Sequence, residues 1–167
     1  MARMGQVLAL PGAVAFAEQL RAAGKTIVLT NGHFDLLHTG HLDYLERARA
    51  LGDALIVGVN GDASTRRLKG PGRPLVPAPE RARLLAALNC VDAAVIFEED
   101  TARALLDALR PDIYAKGGDY TPGTLPEAPA VVAAGGRVVI LPLLPEHSTT
   151  ALIARIRRLT LGADECR

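Results

Sequence analysis

KTIVLTNGHFDLLHTGHLDYLERARALG, residues 25–52, holds the unit from which the fold follows. Residues 25–30 are a short β-branched run and read as a strand. Residues 41–52 bring Leu42, Leu45, Ala48 and Leu51 to one helical face, with Gly52 as a stop. The stretch is thus strand, loop, helix, and the alternation continues on both sides. Further strands are expected at 54–60, 91–97, 112–118 and 137–143. Helices are expected at 12–24, at 77–89 with Pro near the start, at 101–110 capped by Asp100 or Thr101, at 125–136 and at 148–159. Strands alternating with helices of 10–15 residues predict βαβ units and a parallel sheet. The nearly continuous apolar strands agree, because both faces of such a sheet are buried.

Composition narrows the class. The 167 residues suit one domain, 1–167, with a core of about 12–159 and a flexible tail at 160–167. Only 4% of residues are aromatic against 49% hydrophobic, so the core is built from Ala, Val, Leu and Ile. The formal net charge of +1 gives no reason to expect nucleic acid or an anionic membrane as partner. Cys90 and Cys166 sit in no metal spacing, and Cys166 is expected to be a bystander. With no secretory h-region and no apolar run of membrane-spanning length, a reduced cytoplasmic location is expected.

In open parallel sheets, ligands sit beyond the carboxyl ends of the strands. Those ends are where the polar and glycine-rich segments gather: TNGHFDLLHTGH, NGDASTRRLKGPGRP, KGGDY and PEHSTT. The first segment holds three of the chain's four histidines. Gly32 and Gly40 allow close backbone approach. His41 would open a helix and His38 would lie just before it, where free N–H groups and the helix dipole attract phosphate. Two imidazoles three residues apart would point to the same side and donate to phosphate oxygens. A zinc site of His33, His38 and His41 is disfavoured, since no H-E-x-x-H pattern or fourth ligand accompanies them. For His33 the backbone N–H is expected to matter more than the ring.

The second segment carries Arg66, Arg67, Lys69 and Arg73 without an acid between them. It reads as a basic loop in which Arg66 and Arg67 are solvated. Gly70 and Gly72 would hinge Lys69 as a lid over polyphosphate. Arg81, on the next helix, leans slightly toward function. Ser148, Thr149 and Thr150 open the last helix, as an N-cap and as a second phosphate cradle. Gly117 and Gly118 suit contact with a nucleobase or sugar, and Asp119 would hold a hydroxyl-rich substrate or help bind Mg²⁺.

These residues carry a resemblance. FDLLHTGH resembles the HxGH motif of the cytidylyltransferase-like nucleotidyltransferases, and STT resembles their second phosphate motif. RLKGPGRP, YAKGGDYTPGTLPE and VVAAGGRVVILPLLPEHSTT are more specific. They resemble the D-glycero-β-D-manno-heptose 1-phosphate adenylyltransferase family over about residues 12–159, without a kinase half, as in the stand-alone form. His33 departs from the Cys or small residue often found there, and NGD departs from the usual NSD.

The resemblance implies transfer of AMP from ATP to a heptose 1-phosphate, with release of pyrophosphate. His38, His41 and Lys69 would be catalytic. Asn31, Gly32, His33, Phe34, Gly40, Arg81, Gly117, Ser148, Thr149 and Thr150 would bind nucleotide. Asp35, Asp62, Arg73, Gly118 and Asp119 would bind the sugar phosphate. Mg²⁺ would be carried mainly by the nucleotide phosphates, with no protein metal site. The relatives imply a homodimer. The expected fold is an α/β, Rossmann-like three-layer domain with a five-stranded parallel sheet in the order 3-2-1-4-5. A cytidylyltransferase of a phosphoalcohol such as glycerol 3-phosphate is the nearest alternative. A nucleotide-binding module without catalysis is another, against which the presence of His38, His41 and Lys69 argues.

Overall fold

Ile27, Val28 and Leu29 are all fully buried, and their alternating side chains feed two separate cores. In the computed structural model, described for residues 4–118, 121, 123–145 and 147–161, this run is strand β2 (Ile27–Gly32). Ile27 and Leu29 pack with Ala13, Ala17, Leu105, Leu109 and Val131 on one face. Val28 packs with Leu45, Ala48, Ala82 and Leu85 on the other. The first face is covered by α1 (Leu10–Ala22), α5 (Arg103–Leu109) and α6 (Ala128–Ala133). The second is covered by α2 (Thr39–Arg49) and α4 (Ala78–Ala86). The result is three layers, with each buried Leu, Ile or Val stabilising by about 1.5–3 kcal/mol.

The remaining strands are β1 (Gln6–Leu8), β3 (Ala54–Asn60), β4 (Ala93–Phe97), β5 (Ile113–Gly117) and β6 (Arg137–Leu141). All pairings are parallel, and the order is β1-β4-β3-β2-β5-β6. The sheet therefore has six strands where five were expected; the five anticipated strands keep the order 3-2-1-4-5, as β4-β3-β2-β5-β6, and the sixth is added outside β4. The extra strand, β1, pairs Gln6–Leu8 with Ala93–Val95 along one edge. Three partly exposed residues give no periodic signal, and only the pairing makes them a strand.

A second correction concerns the basic segment. Residues 62–69 are helix α3 (Asp62–Lys69), not loop. Asp62 lies in its first turn and Arg66, Arg67 and Lys69 in its last, the distribution a helix dipole favours. Arg67 bonds to Asp100 at 2.8 Å and to the Glu98 carbonyl at 2.7 Å, rather than being merely solvated. Helix α5 begins after Ala102 with no side-chain cap, so Asp100 and Thr101 do not cap it. Helix α7 (Thr149–Leu161) includes residues 160 and 161 of the expected tail, and Cys166 lies outside the described residues. No helix among the described residues is long and apolar enough to cross a membrane.

The chain runs outward from β2 through β3 to β4, then returns to lay β5 on the other side of β2. The crossovers diverge at β2, so the loop that follows it sits in the crevice between the β2–β3 and β2–β5 pairs.

Candidate active site

The loop after β2 delivers its histidines through helix capping. His38 is the N-cap of α2, and its Nδ1 accepts the His41 backbone N–H at 3.3 Å. That bond fixes the proton on Nε2, leaving a ring donor for a ligand. The His38 and His41 rings stack with centroids 3.8 Å apart. Gly40 between them is required by close approach, because a Cβ there would lie 2.6 Å from Cβ of His147. Phe34, at a positive φ of 47°, packs its ring 5.4 Å from that of His41.

The start of α7 meets this loop. The Ser148 hydroxyl accepts the Ala151 N–H at 3.0 Å, so Ser148 caps the helix, and the Thr149 hydroxyl reaches the Leu36 carbonyl at 3.4 Å. Two helix N-termini thus open on one cavity of about 340 Å³. His38, His41, Lys69 and residues 148–150 line it, and Phe34, Leu143 and Leu144 give it an apolar side. Lys69 ends α3, followed by Gly70 and Gly72, whose φ values of 92° and 80° suit glycine.

Electrostatics keep the rings neutral before a ligand arrives. Burial, then the neighbouring His38, lowers the His41 pKa to about 4, although the Leu36 carbonyl acts against this. Its buried Nδ1 makes no well-formed hydrogen bond. His38 is also lowered, by burial and then by His147. His33 falls to about 4, through burial first and then Lys69, Arg81, Lys116 and Arg73. The His33 ring is tethered as well. Its Nδ1 lies 3.0 Å from the Thr65 hydroxyl, which itself donates to the Asn60 carbonyl, so His33 Nδ1–H is the donor. No group of three or more His, Cys, Asp or Glu residues among those described is arranged to hold a metal ion.

Several expected ligand residues are instead framework. Arg81 is fully buried and reads neither as an exposed helix residue nor as a nucleotide contact. Its guanidinium donates to the carbonyls of Val76, His33 and Asn60 and to the Asp62 carboxylate. Asp62 Oδ1 also accepts the Ala78 N–H at 2.8 Å, and Asp62 borders neither this cavity nor its neighbour. Asp35 borders the cavity, but its oxygens accept from Leu75 N, Val76 N and Arg73 Nε. Burial works to raise its carboxyl pKa, yet the Val76 and Leu75 amides and Arg73 outweigh burial and hold it below the usual range. Arg73 is correspondingly taken by Asp35 at 2.6 Å. Asp35 and Arg73 together pin the segment after Lys69.

Gly117 stands behind the cavity wall, where a Cβ would press on Leu143 at 2.7 Å and on Tyr44 at 3.1 Å. Gly118 is bonded to the Leu141 carbonyl at 3.2 Å and lines neither this cavity nor its neighbour. Asp119 lies outside the described residues. Asn31 and Gly32 line the neighbouring cavity rather than this one, while His33 and Lys69 border both. Tyr44, Leu143, Leu144 and His147 line the first cavity and were not anticipated. His147 had a signal: it is the fourth histidine and directly precedes the STT.

Residues 29–155 match the family described as Cytidylyltransferase-like. The bifunctional protein HldE of Syntrophotalea carbinolica is 57% identical over 136 residues, covering 81% of this chain and 28% of that relative. The bifunctional protein HldE of Halorhodospira halophila is 56% identical over 147 residues, covering 88% of this chain and 31% of that relative. The chain thus spans less than a third of the length of these curated relatives. A lipopolysaccharide core biosynthesis protein from Thermoplasma volcanium superposes with a TM-score of 0.60 at 30% identity, covering 72% of this chain and 98% of that one. Pantoate-beta-alanine ligase from Francisella tularensis shares the fold at a TM-score of 0.57 and 14% identity, over 86% of this chain and 68% of that one. With a family match across most of its length and the HxGH and STT segments converging on one cavity, the chain belongs to the cytidylyltransferase-like family of nucleotidyltransferases.

Proposed function

We propose that the protein transfers AMP from ATP to D-glycero-β-D-manno-heptose 1-phosphate, giving ADP-heptose and pyrophosphate. The observation that carries this reading is the convergence of two stacked histidines, two helix N-termini and Lys69 on one crevice at the switch point of the sheet. The choice of sugar rests on the resemblance of RLKGPGRP, YAKGGDYTPGTLPE and VVAAGGRVVILPLLPEHSTT to the heptose enzymes. Similarity to a lipopolysaccharide core biosynthesis protein supports it.

The chemistry asks little of a base. The attacking oxygen belongs to the acceptor phosphate and is already anionic at neutral pH. A bond forms from that oxygen to the α-phosphorus, and the bond from the α-phosphorus to the bridging oxygen breaks. The electron pair leaves with pyrophosphate. The barrier is the approach of two anions, so catalysis is positioning with electrostatic stabilisation. His38 donates from Nε2 to the triphosphate. His41 lies beside it with a ring that gains a proton more readily once a polyanion is near. Lys69 approaches from the α3 side, and the start of α7 receives the leaving end. Phe34, Leu143 and Leu144 give the base an apolar contact.

Mg²⁺ carried by the nucleotide would supply charge neutralisation at the phosphates. Asp35, the carboxylate bordering the cavity, is engaged by two amides and Arg73 and supplies no free oxygen pair. The reading carries with it a cytoplasmic location, where ATP is supplied, and a homodimeric assembly as in the families the sequence resembles.

The test is a matrix of nucleoside triphosphates against sugar and alcohol phosphates, following pyrophosphate. Release with ATP and heptose 1-phosphate is expected. Activity confined to CTP with a phosphoalcohol would overturn the assignment. Tight ATP binding without pyrophosphate release on any acceptor would favour a non-catalytic module.

A further inference from the structure

Leu143, Leu144 and His147 reach the cavity from the segment that leaves β6 and enters α7. Leu143 is 53% exposed and Leu144 37%, so their apolar faces are open to a ligand. Among the described residues, one hydrogen bond ties 142–147 to the rest of the protein: the Arg47 guanidinium donates from Nη2 to the Pro142 carbonyl. His147 Nδ1 bonds within the segment, to the Pro145 carbonyl at 2.8 Å. Pro142 and Pro145 have no N–H to give.

Arg47 stands on α2, the helix whose start carries His38 and His41. Gly40, Tyr44 and Arg47, at four- and three-residue spacing, share one face of that helix. Each faces the segment in turn. A Cβ on Gly40 would lie 2.6 Å from Cβ of His147. Tyr44 and Leu143 converge on Gly117, where a Cβ would lie 3.1 Å from the Tyr44 ring and 2.7 Å from Leu143. Arg47 holds Pro142. The segment thus runs antiparallel along α2, and of the three contacts only that of Arg47 is polar. Asp43, one turn earlier, pairs with Arg47 at 2.6 Å and orients it by charge. Asp43 Oδ2 makes no well-formed hydrogen bond there, so the one well-formed bond of the guanidinium is that to Pro142.

One helix therefore sets both ends of the cavity. Its first turn fixes the phosphate donors, and Arg47, about 9 Å further along the axis than His41, fixes the apolar wall. Resting on the function proposed above, we propose that Arg47 is a positioning residue for the nucleoside end of ATP. It touches no substrate atom. It holds 142–147 against α2, so that Leu143 and Leu144 meet the base at a set distance from the phosphate donors. Without that bond the wall is loose in the free protein, and ordering it on binding costs affinity.

The experiment measures the affinities of a non-hydrolysable ATP analogue and of inorganic pyrophosphate for wild type, Arg47→Met and Arg47→Lys by calorimetry. Pyrophosphate reports the phosphate end alone. The Arg47 and Asp43 side chains are 35% and 36% exposed, so the variants should fold. Arg47→Met should weaken the analogue about tenfold and pyrophosphate less than about twofold, one decade being about 1.4 kcal/mol. Arg47→Lys keeps a charged donor on a flexible stem and should recover most of the loss. Equal weakening of both probes, an unmoved analogue in Arg47→Met, or no recovery in Arg47→Lys would overturn the assignment. In turnover, Arg47→Met should raise the KM for ATP and leave kcat nearly unchanged. A merely structural role would lower kcat with KM unmoved, and that result would also overturn it. The parent reading fails separately. A wild type that binds a CTP analogue and not the ATP analogue defeats ATP as the donor, and the role of Arg47 is then read from the CTP analogue against pyrophosphate in the same variants.

Discussion

Two polar clusters lie within a few residues of each other at the carboxyl ends of the strands, and they do opposite work. Around Arg81, most donors and acceptors are spent within the protein. The guanidinium meets three carbonyls and the Asp62 carboxylate, and Asp35 meets two amides and Arg73. Around His38, groups are left over: an Nε2 donor, a lowered imidazole, an exposed Lys69 and two helix starts. Saturation, rather than charge, separates framework from ligand groups. A residue that already has all its partners holds the crevice open, whereas one that lacks them waits for phosphate.

The comparison breaks most visibly at His41. His41→Ala should lower turnover by about 100- to 1000-fold, the usual cost of removing one donor from a charge-stabilising site. Its melting temperature should stay close to that of the wild type. Near-normal turnover would remove His41 from the reaction.

Arg81→Met should do the reverse. It leaves three carbonyls and the part-exposed Asp62 without their donor, each buried carbonyl left unpaired costing about 1–3 kcal/mol, read by urea unfolding. Unchanged stability with weakened ATP binding would return Arg81 to the ligand side of the comparison.

Asp35→Asn should have a smaller effect. Asn keeps one acceptor oxygen for the Leu75 and Val76 amides but loses the charged bond to Arg73, a cost of about 1.5–3 kcal/mol. The segment after Lys69 should become more open to limited proteolysis, and the KM for ATP should rise. The sign with pH follows from the lowered carboxyl. The contribution of Asp35 is present above the unfolded carboxyl pKa and is lost as pH falls through the lower folded one. Wild-type protection of this segment should therefore fail in acid, while Asp35→Asn is already unprotected at neutral pH.

The mildest effect is protonic. His33 and His41 are both lowered to about 4 in the free protein. Stability from these rings is full above about 6.5 and declines as pH falls from there toward 4. A bound triphosphate favours the charged His41 ring, so nucleotide binding should take up protons and tighten as pH falls from 7.5 toward 6. Calorimetry in two buffers of different ionisation enthalpy measures the uptake. A pH-independent Kd with no proton exchange would contradict it.

How much of this could be read from the sequence depends on distance along the chain. The strand, the glycines and the HxGH helix start lie within residues 25–52, and so does the capping bond from His41 N to His38. That part was legible because its partners are local. Arg81 was not, because its partners are up to 48 residues away and no spacing rule connects them. The α3 helix was hidden by its own basic residues, which read as a solvated loop yet sit where the helix dipole favours them. Strand β1 is three residues long and exists only through its pairing with β4. Glu127 and Lys116 were not singled out in the sequence, because the cavity they both line forms only when the segment between β5 and α6 folds back over the sheet end.

The central claim is that an acceptor phosphate oxygen attacks the α-phosphorus and pyrophosphate leaves. Heptose 1-phosphate labelled with ¹⁸O in its phosphate group, turned over with unlabelled ATP, tests it most directly. The account predicts that all of the label appears in the ADP-heptose and none in pyrophosphate. Label in the pyrophosphate, or AMP formed with no nucleotide sugar, would contradict it.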